Sequence, residues 1–339
     1  MLKSLQILRF VAAVSVVNWH LTWSFGSFGV DIFFVLSGFV IALVVSDYHS
    51  PTSFAINRIS RIVPIYWLLT TLLLLLMFLT PKFVHESTIA GANISNYLRS
   101  IFFIPFYLGG DIKPLLRLGW TLNYEMLFYL LVWLSLIITR TSLALTSALI
   151  LFLYLIFAFG FESNYATGFF GDDIILEFII GIIAFKIYKY NYLQNIPSVV
   201  LILITILSYA FMAYIQSADL LKSRFLFYGI PSFFVVLSFV GLEEHIIKVK
   251  SSIVSFFVSM GDASYATYLT HWYVIVACRK IISEKYELYD FYSPIGIIIT
   301  LIVSLIVGQT TYYYADKPLS LFVKRNLLNK FRKPDHIKK

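Results

Sequence analysis

Residues 4–24 read SLQILRFVAAVSVVNWHLTWS, and residues 28–42 read FGVDIFFVLSGFVIA. Both belong to runs apolar enough to cross a bilayer, for which about 20 helical residues suffice. Yet the first run carries Arg9 and His20, and the second places Asp31 among aromatic and aliphatic neighbours. An ionisable side chain inside a bilayer costs roughly 2.5–3.5 kcal/mol on insertion scales, so it persists mainly where it pairs or lines a polar cavity. Three such residues in the first two spans predict a polar working site buried in a membrane protein.

The composition of the whole chain agrees. Of its 339 residues, 59% are hydrophobic and 13% charged, against about 25% charged in soluble domains. This excludes a soluble protein. The aromatic share of 18% suits belts of Trp and Tyr at the bilayer surfaces. A net charge of +8 would suggest nucleic acid in a soluble protein. Here the basic residues gather in loops and at the C-terminus, so no nucleic-acid partner is expected. Cys278 is the single cysteine, and neither a disulfide framework nor a multi-cysteine or H-E-x-x-H metal site is predicted. The first run lacks a small-residue cleavage site, so it reads as a retained helix and not a signal peptide.

Ten stretches meet the length ruler: 4–24, 29–47, 62–80, 119–139, 143–160, 171–188, 198–215, 225–242, 262–280 and 294–315. The fold predicted is an all-α polytopic membrane bundle of about ten transmembrane helices, with one membrane domain over 1–316. The segment Pro81–Leu118, broken by Pro105, Gly109, Gly110 and Pro114, reads as an external loop with re-entrant or interfacial parts. With both termini in the cytoplasm, Lys3, Arg58, Arg61, Arg140, Lys186, Lys189, Lys248, Lys250 and the eight Lys/Arg after Asp316 fall inside. Lys82, Arg99, Lys113, Arg117, Lys222, Arg224, Arg279, Lys280 and Lys285 fall outside. The inside excess sets that orientation. The tail 317–339 is basic and partly amphipathic, fit to meet anionic lipid headgroups at the inner surface.

Arg9 and His20 lie eleven residues apart, about three turns, so they share a face roughly 16 Å apart along the axis. Arg9 falls in the inner half and His20 near the outer end. Asp31, Trp120 and Glu125 sit at that outer level, with Tyr129 one turn below Glu125. Ser264, Tyr268 and His271 share one face of a later helix. Arg58 and Arg61 flank the inner entry to the third span. A His/Asp/Glu cluster on one side and a basic cluster on the other suit acyl transfer across a membrane. Paired arginines bind the phosphates of an acyl-CoA through planar donor forks. Its slender pantetheine arm threads past Arg9, and His20 takes the proton of an acceptor hydroxyl. Glu125 or Asp31 would fix the tautomer of His20 as the third member of a triad does.

Seven motifs, LQILRFVAAVSVVNWH, FGVDIFFVLSGFVIA, RISRIVPIYW, GWTLNYEMLFYL, EFIIGIIAF, MGDASYATYLTH and YADKPL, occur in order from residue 4 to about 319. Together they resemble the membrane-bound acyltransferase-3 family. The resemblance implies ten or so helices in a bacterial cytoplasmic membrane. It also implies transfer of acetyl or another acyl group from acyl-CoA to a sugar of a surface polysaccharide, lipopolysaccharide or lipid-linked precursor. Arg9 and His20 match the family's essential first-helix pair, and Arg58 and Arg61 its paired arginines. The closing motif departs from the family pattern, with Asp316 and Lys317 where Glu usually precedes the proline region. Some relatives carry an extracytoplasmic hydrolase-like domain that this sequence does not show, which implies complete transfer within the membrane or help from another glycan-assembly protein.

Each polar residue also has a structural reading: His20 bonded at a helix end, Arg9 in an ion pair, Arg58 and Arg61 as topology signals, Asp31 as a helix cap, and His271 bonded to Ser264. Gly38 and Gly181 read as close-packing positions. A secondary transporter also buries ionisable groups at mid-depth and is the alternative function. The absence of an internal repeat counts against it, and a non-catalytic scaffold would leave Arg9 and His20 without a purpose.

Overall fold

The computed structural model describes residues 2–47, 50–80, 91–108, 110–139, 143–161, 165–249, 251–284 and 286–331. Lys82, Arg140, Lys250, Lys285 and the tail beyond residue 331 lie outside these residues.

Helices α1 (Lys3–Thr22) and α2 (Gly29–Asp47) follow the first two apolar runs. Helix α3 runs from Pro51 to Leu79, starting well before its apolar stretch. Its start is chemical: the Ser50 hydroxyl accepts from the Ser53 amide at 3.3 Å and Pro51 takes the first helical position, where its missing N–H costs nothing. The outer segment then folds into α4 (Ile94–Ile101) and a small hairpin, β1 (Tyr107–Leu108) against β2 (Asp111–Ile112), with Tyr107 opposite Ile112. It is pinned to α3, with the Trp67 indole donating to Ile101 O at 2.7 Å and Tyr66 to Ser100 O at 3.1 Å. The stretch expected as an external loop with re-entrant or interfacial parts thus holds a short helix and a hairpin over its described residues.

Helices α5 (Trp120–Ile138), α6 (Leu143–Phe159) and the short α7 (Tyr165–Phe170) lead into α8 (Glu177–Lys189) and α9 (Ser198–Ser217). A π-helical turn over Phe225–Gly229 precedes α10 (Ile230–Gly241), followed by α11 (Glu243–Lys248), α12 (Ser252–Asp262) and α13 (Ser264–Ala277). Helix α14 (Pro294–Thr311) continues through another π-helical turn, Tyr312–Asp316, into α15 (Lys317–Phe331). Hydroxyls inside these apolar helices, such as Ser15, Thr270, Thr300 and Ser304, donate to the carbonyl four residues back. A buried polar group needs such a partner where water is excluded.

Among the described residues six helices are long and apolar enough to cross a membrane, and three shorter apolar helices accompany them. Several predicted spans arrive in pieces. The stretch 171–188 is split by a 3-10 turn at Asp173–Leu176, leaving 13 residues in α8. The stretch 262–280 is preceded by α12 and breaks at Ala263. The last helix is longer than expected: Pro294–Phe331 is 38 residues, about 57 Å at 1.5 Å per residue, against a hydrocarbon core of ~30 Å. Its end, α15, buries no residue and runs on through the predicted domain boundary at 316.

Helix α1 is central, packing on α2, α12 and α13. Leu2 stands at its N-cap with no side chain to offer. Glu243 of α11 supplies the cap, its two oxygens accepting from the Lys3 and Ser4 amides at 2.9 and 2.7 Å. A carboxylate there meets both the free amides and the positive end of the helix dipole. Gln6 also donates to Asp262 at the end of α12. These bonds fix the depth of α1, and with it the levels of Arg9 and His20.

Candidate active site

Two chambers open inside the bundle. The one at the end expected to face the cytoplasm, termed inner, is about 110 Å³ and is lined by Arg9 of α1, Ser37 of α2, Arg58 and Arg61 of α3, and Glu125 and Tyr129 of α5. The outer one, about 1210 Å³, is lined by His20, Trp23, Trp120, Asp172, Arg224 and Trp272 among others. Val30 and Tyr268 line both. The Tyr268 hydroxyl is held at this shared wall, donating to Leu118 O at 2.9 Å and 3.0 Å from the Thr121 hydroxyl.

Three cations and one carboxylate, Glu125, face the inner chamber. Among the described residues Arg9 has no hydrogen-bond or ion-pair partner. Arg58 lies over the Tyr129 ring at 5.8 Å, and its buried Nε is unpartnered. Arg61 lies 5.7 Å over Tyr265 and 3.8 Å from Asp316, which the π-turn at 312–316 brings inward. That contact is long for an ion pair. Glu125 accepts from Ser37 Oγ at 3.0 Å and from the Tyr129 hydroxyl. A buried donor without a partner costs free energy, so a cluster of three under-satisfied guanidinium groups fits an anionic, phosphate-bearing ligand. The early start of α3 puts Arg58 and Arg61 within its helix and not in a flanking loop.

His20, the expected base, lines the outer chamber and meets His271 there. His20 Nδ1 lies 2.9 Å from Val16 O and 3.2 Å from His271 Nε2, while His271 Nδ1 lies 3.2 Å from Thr267 O. A carbonyl oxygen only accepts, so both Nδ1 atoms carry the proton. His271 Nε2 is then an acceptor for His20, and His20 Nε2 keeps its lone pair. Sequence reasoning did not foresee this pairing; the i, i+4, i+7 stripe of Ser264, Tyr268 and His271 singled out His271 but not its partner.

Two sequence expectations are corrected. Asp31 does not meet His20. It is fully buried and forms a two-bonded ion pair with Arg224, with both contacts at 2.8 Å. Arg224, counted above only as an outside charge, also lies 5.7 Å over Trp120 and beside the buried Glu177. Nor does Glu125 meet His20, because it turns toward Ser37 in the inner chamber. Equal depth along parallel helices does not settle which way a side chain faces. Ser264 is buried, lines neither chamber and has no hydrogen-bond partner among the described residues, so it does not pair with His271. Trp120 and Tyr129 do line chambers, one outer and one inner. At the outer rim, hydrogen bonding from Lys113, with Arg117 adding to it, holds the Asp111 carboxyl below its ordinary range.

The bundle thus holds an arginine-lined chamber backing onto a histidine-lined one. The family model described as an acyltransferase domain matches residues 2–313, and the chain belongs to that family, acyltransferase-3. It is an O-acyltransferase. It is 30% identical to the exopolysaccharide production protein ExoZ of Rhizobium meliloti, over 88% of this chain and 90% of that protein. It is 24% identical to the O-acetyltransferase OatA of Staphylococcus aureus, over 94% of this chain but 57% of OatA, so it spans little more than half of that relative's length. No solved structure is significantly similar to the chain.

Proposed function

We propose that the protein moves an acetyl group from cytoplasmic acetyl-CoA to a sugar hydroxyl of a cell-surface polysaccharide or its lipid-linked precursor. The observation that carries this reading is the shared wall: Val30 and Tyr268 separate three under-satisfied arginines from a histidine with a free Nε2. Arg58 and Arg61 hold the CoA phosphates, and Arg9 guides the pantetheine arm so that the thioester meets His20 beside Tyr268. Glu125, with Tyr129 and Ser37, balances the charge of the inner chamber. As the acceptor oxygen bonds to the thioester carbon, its proton passes to His20 Nε2. The carbon–sulfur bond then breaks, and the CoA thiolate leaves with that proton, which restores neutral His20.

The orientation of the donor site toward the cytoplasm rests on the basic residues at that end, and the membrane is the cytoplasmic one. The exposed α15, with Lys317, Lys324, Arg325 and Lys330, meets anionic headgroups there. The likeness to an exopolysaccharide production protein and an O-acetyltransferase supports a polysaccharide acceptor. A transporter is not favoured.

The test is a kinetic titration of isolated membranes. Arg58→Ala should raise the acetyl-CoA KM about tenfold, as the loss of one charge-assisted hydrogen bond would, with the acceptor KM little changed. A rise confined to the acceptor KM would contradict the assignment.

A further inference from the structure

One residue at the end of α1 is out of character. Trp23 closes the helix in the left-handed region, φ 54 and ψ 22, with its amide bonded to Trp19 O at 2.8 Å. A bulky residue with positive φ is a rare and strained choice where Gly or Asn would cost less. The indole gains no burial in return, since Trp23 is 61% exposed. Instead it lines the outer chamber, with its ring 5.9 Å from His20 and 5.4 Å from Trp19, both edge-on. Trp272 stands 5.8 Å from His20 in the same manner. The imidazole is thus flanked by indoles, one of them strained into place and open to the chamber.

The charges of this chamber are already spent. Lys113 and Arg117 bind Asp111 at 2.9 and 2.8 Å, and Arg224 binds Asp31. Lys113 and Arg117 share that one carboxylate, and with Asp172 also in the wall three cations are met by three acids, which favours a ligand without charge. Its volume of about 1210 Å³ exceeds the 300–1,000 Å³ usual for a compact ligand.

We propose that Trp23, backed by Trp272, is the acceptor subsite: its indole face stacks on an uncharged sugar ring of a glycan chain and sets a ring hydroxyl at His20 Nε2. The C–H face of a pyranose carries partial positive charge and complements the electron-rich aromatic face. This inference deepens the proposed transfer reaction and rests on it for the identity of the acceptor.

The probe is an oligosaccharide released from the host's surface polysaccharide and stripped of O-acyl groups. It is titrated calorimetrically into the detergent-solubilised protein and used as acceptor in membranes. Trp23→Ala should weaken binding and raise the acceptor KM about tenfold, the upper range of one aromatic contact, while the acetyl-CoA KM holds. Trp23→Phe should recover most of the affinity. Because the side chain is exposed, its removal opens no core cavity. Unchanged binding and acceptor KM in Trp23→Ala, with transfer intact in the wild type, would overturn the subsite and spare the reaction. Binding that depends on Trp23 without any acetyl transfer by the wild type would support the subsite and sink the reaction.

Discussion

At Asp31 a buried carboxylate draws its stability from one cation that lies 193 residues away in sequence. Removing one partner of a buried ion pair typically costs about 3–5 kcal/mol, because the other charge is left unpaired. Asp31→Asn should therefore lower the unfolding temperature of the solubilised protein markedly, and Asp31→Asn combined with Arg224→Gln should recover part of the loss. Unchanged stability with transfer abolished would instead make Asp31 catalytic. The sequence made Asp31 conspicuous because a charge in an apolar span needs a reason, but the reason was sought in His20 or a helix cap and not in Arg224. Its partner was not legible, since hydropathy gives depth but no bearing around the helix axis. The same blindness put Glu125 beside His20. His20 and Arg9 were legible as site candidates because their charge conflicts with an apolar span, whereas Arg58 and Arg61, at the edge of a span, stood out through their pairing and the family resemblance.

At the scale of elements, the pairing of α2 with α8 depends on two glycines read from sequence as close-packing positions. A Cβ on Gly38 would meet Gly181 Cα at 2.9 Å and the Phe178 carbonyl, so the two backbones touch. Gly38→Leu should force the helices apart, at an overpacking cost of roughly 1–3 kcal/mol, read as a lowered unfolding temperature. A variant as stable as the wild type would show that the close crossing is not required. Long apolar runs were read well: α2 matches its stretch, and α5, α6 and α9 end within about two residues of theirs. The breaks were not. Hydropathy misses the polar first turns of α3, and the interruption at Ala263 carries no proline. The π-turns at Phe225–Gly229 and Tyr312–Asp316 sit beside Arg224 and Asp316, where a local register shift aims a charged side chain inward.

Across the whole molecule, α1 spans the depth between the chambers, anchored at one end by Glu243 and Asp262 and carrying His20 near the other. Arg9 and His20 thus belong to different chambers on one rigid rod. In the proposed transfer, donor and acceptor would approach from opposite sides and meet at Tyr268, with His271 bonded to His20. The most direct measurement is base-labile acetate on the host's surface polysaccharide. A deletion strain is compared with the same strain carrying either the wild type or His20→Ala at equal membrane levels. Acetate should vanish on deletion and return only with the wild type. Acetate restored in full by His20→Ala would contradict the account.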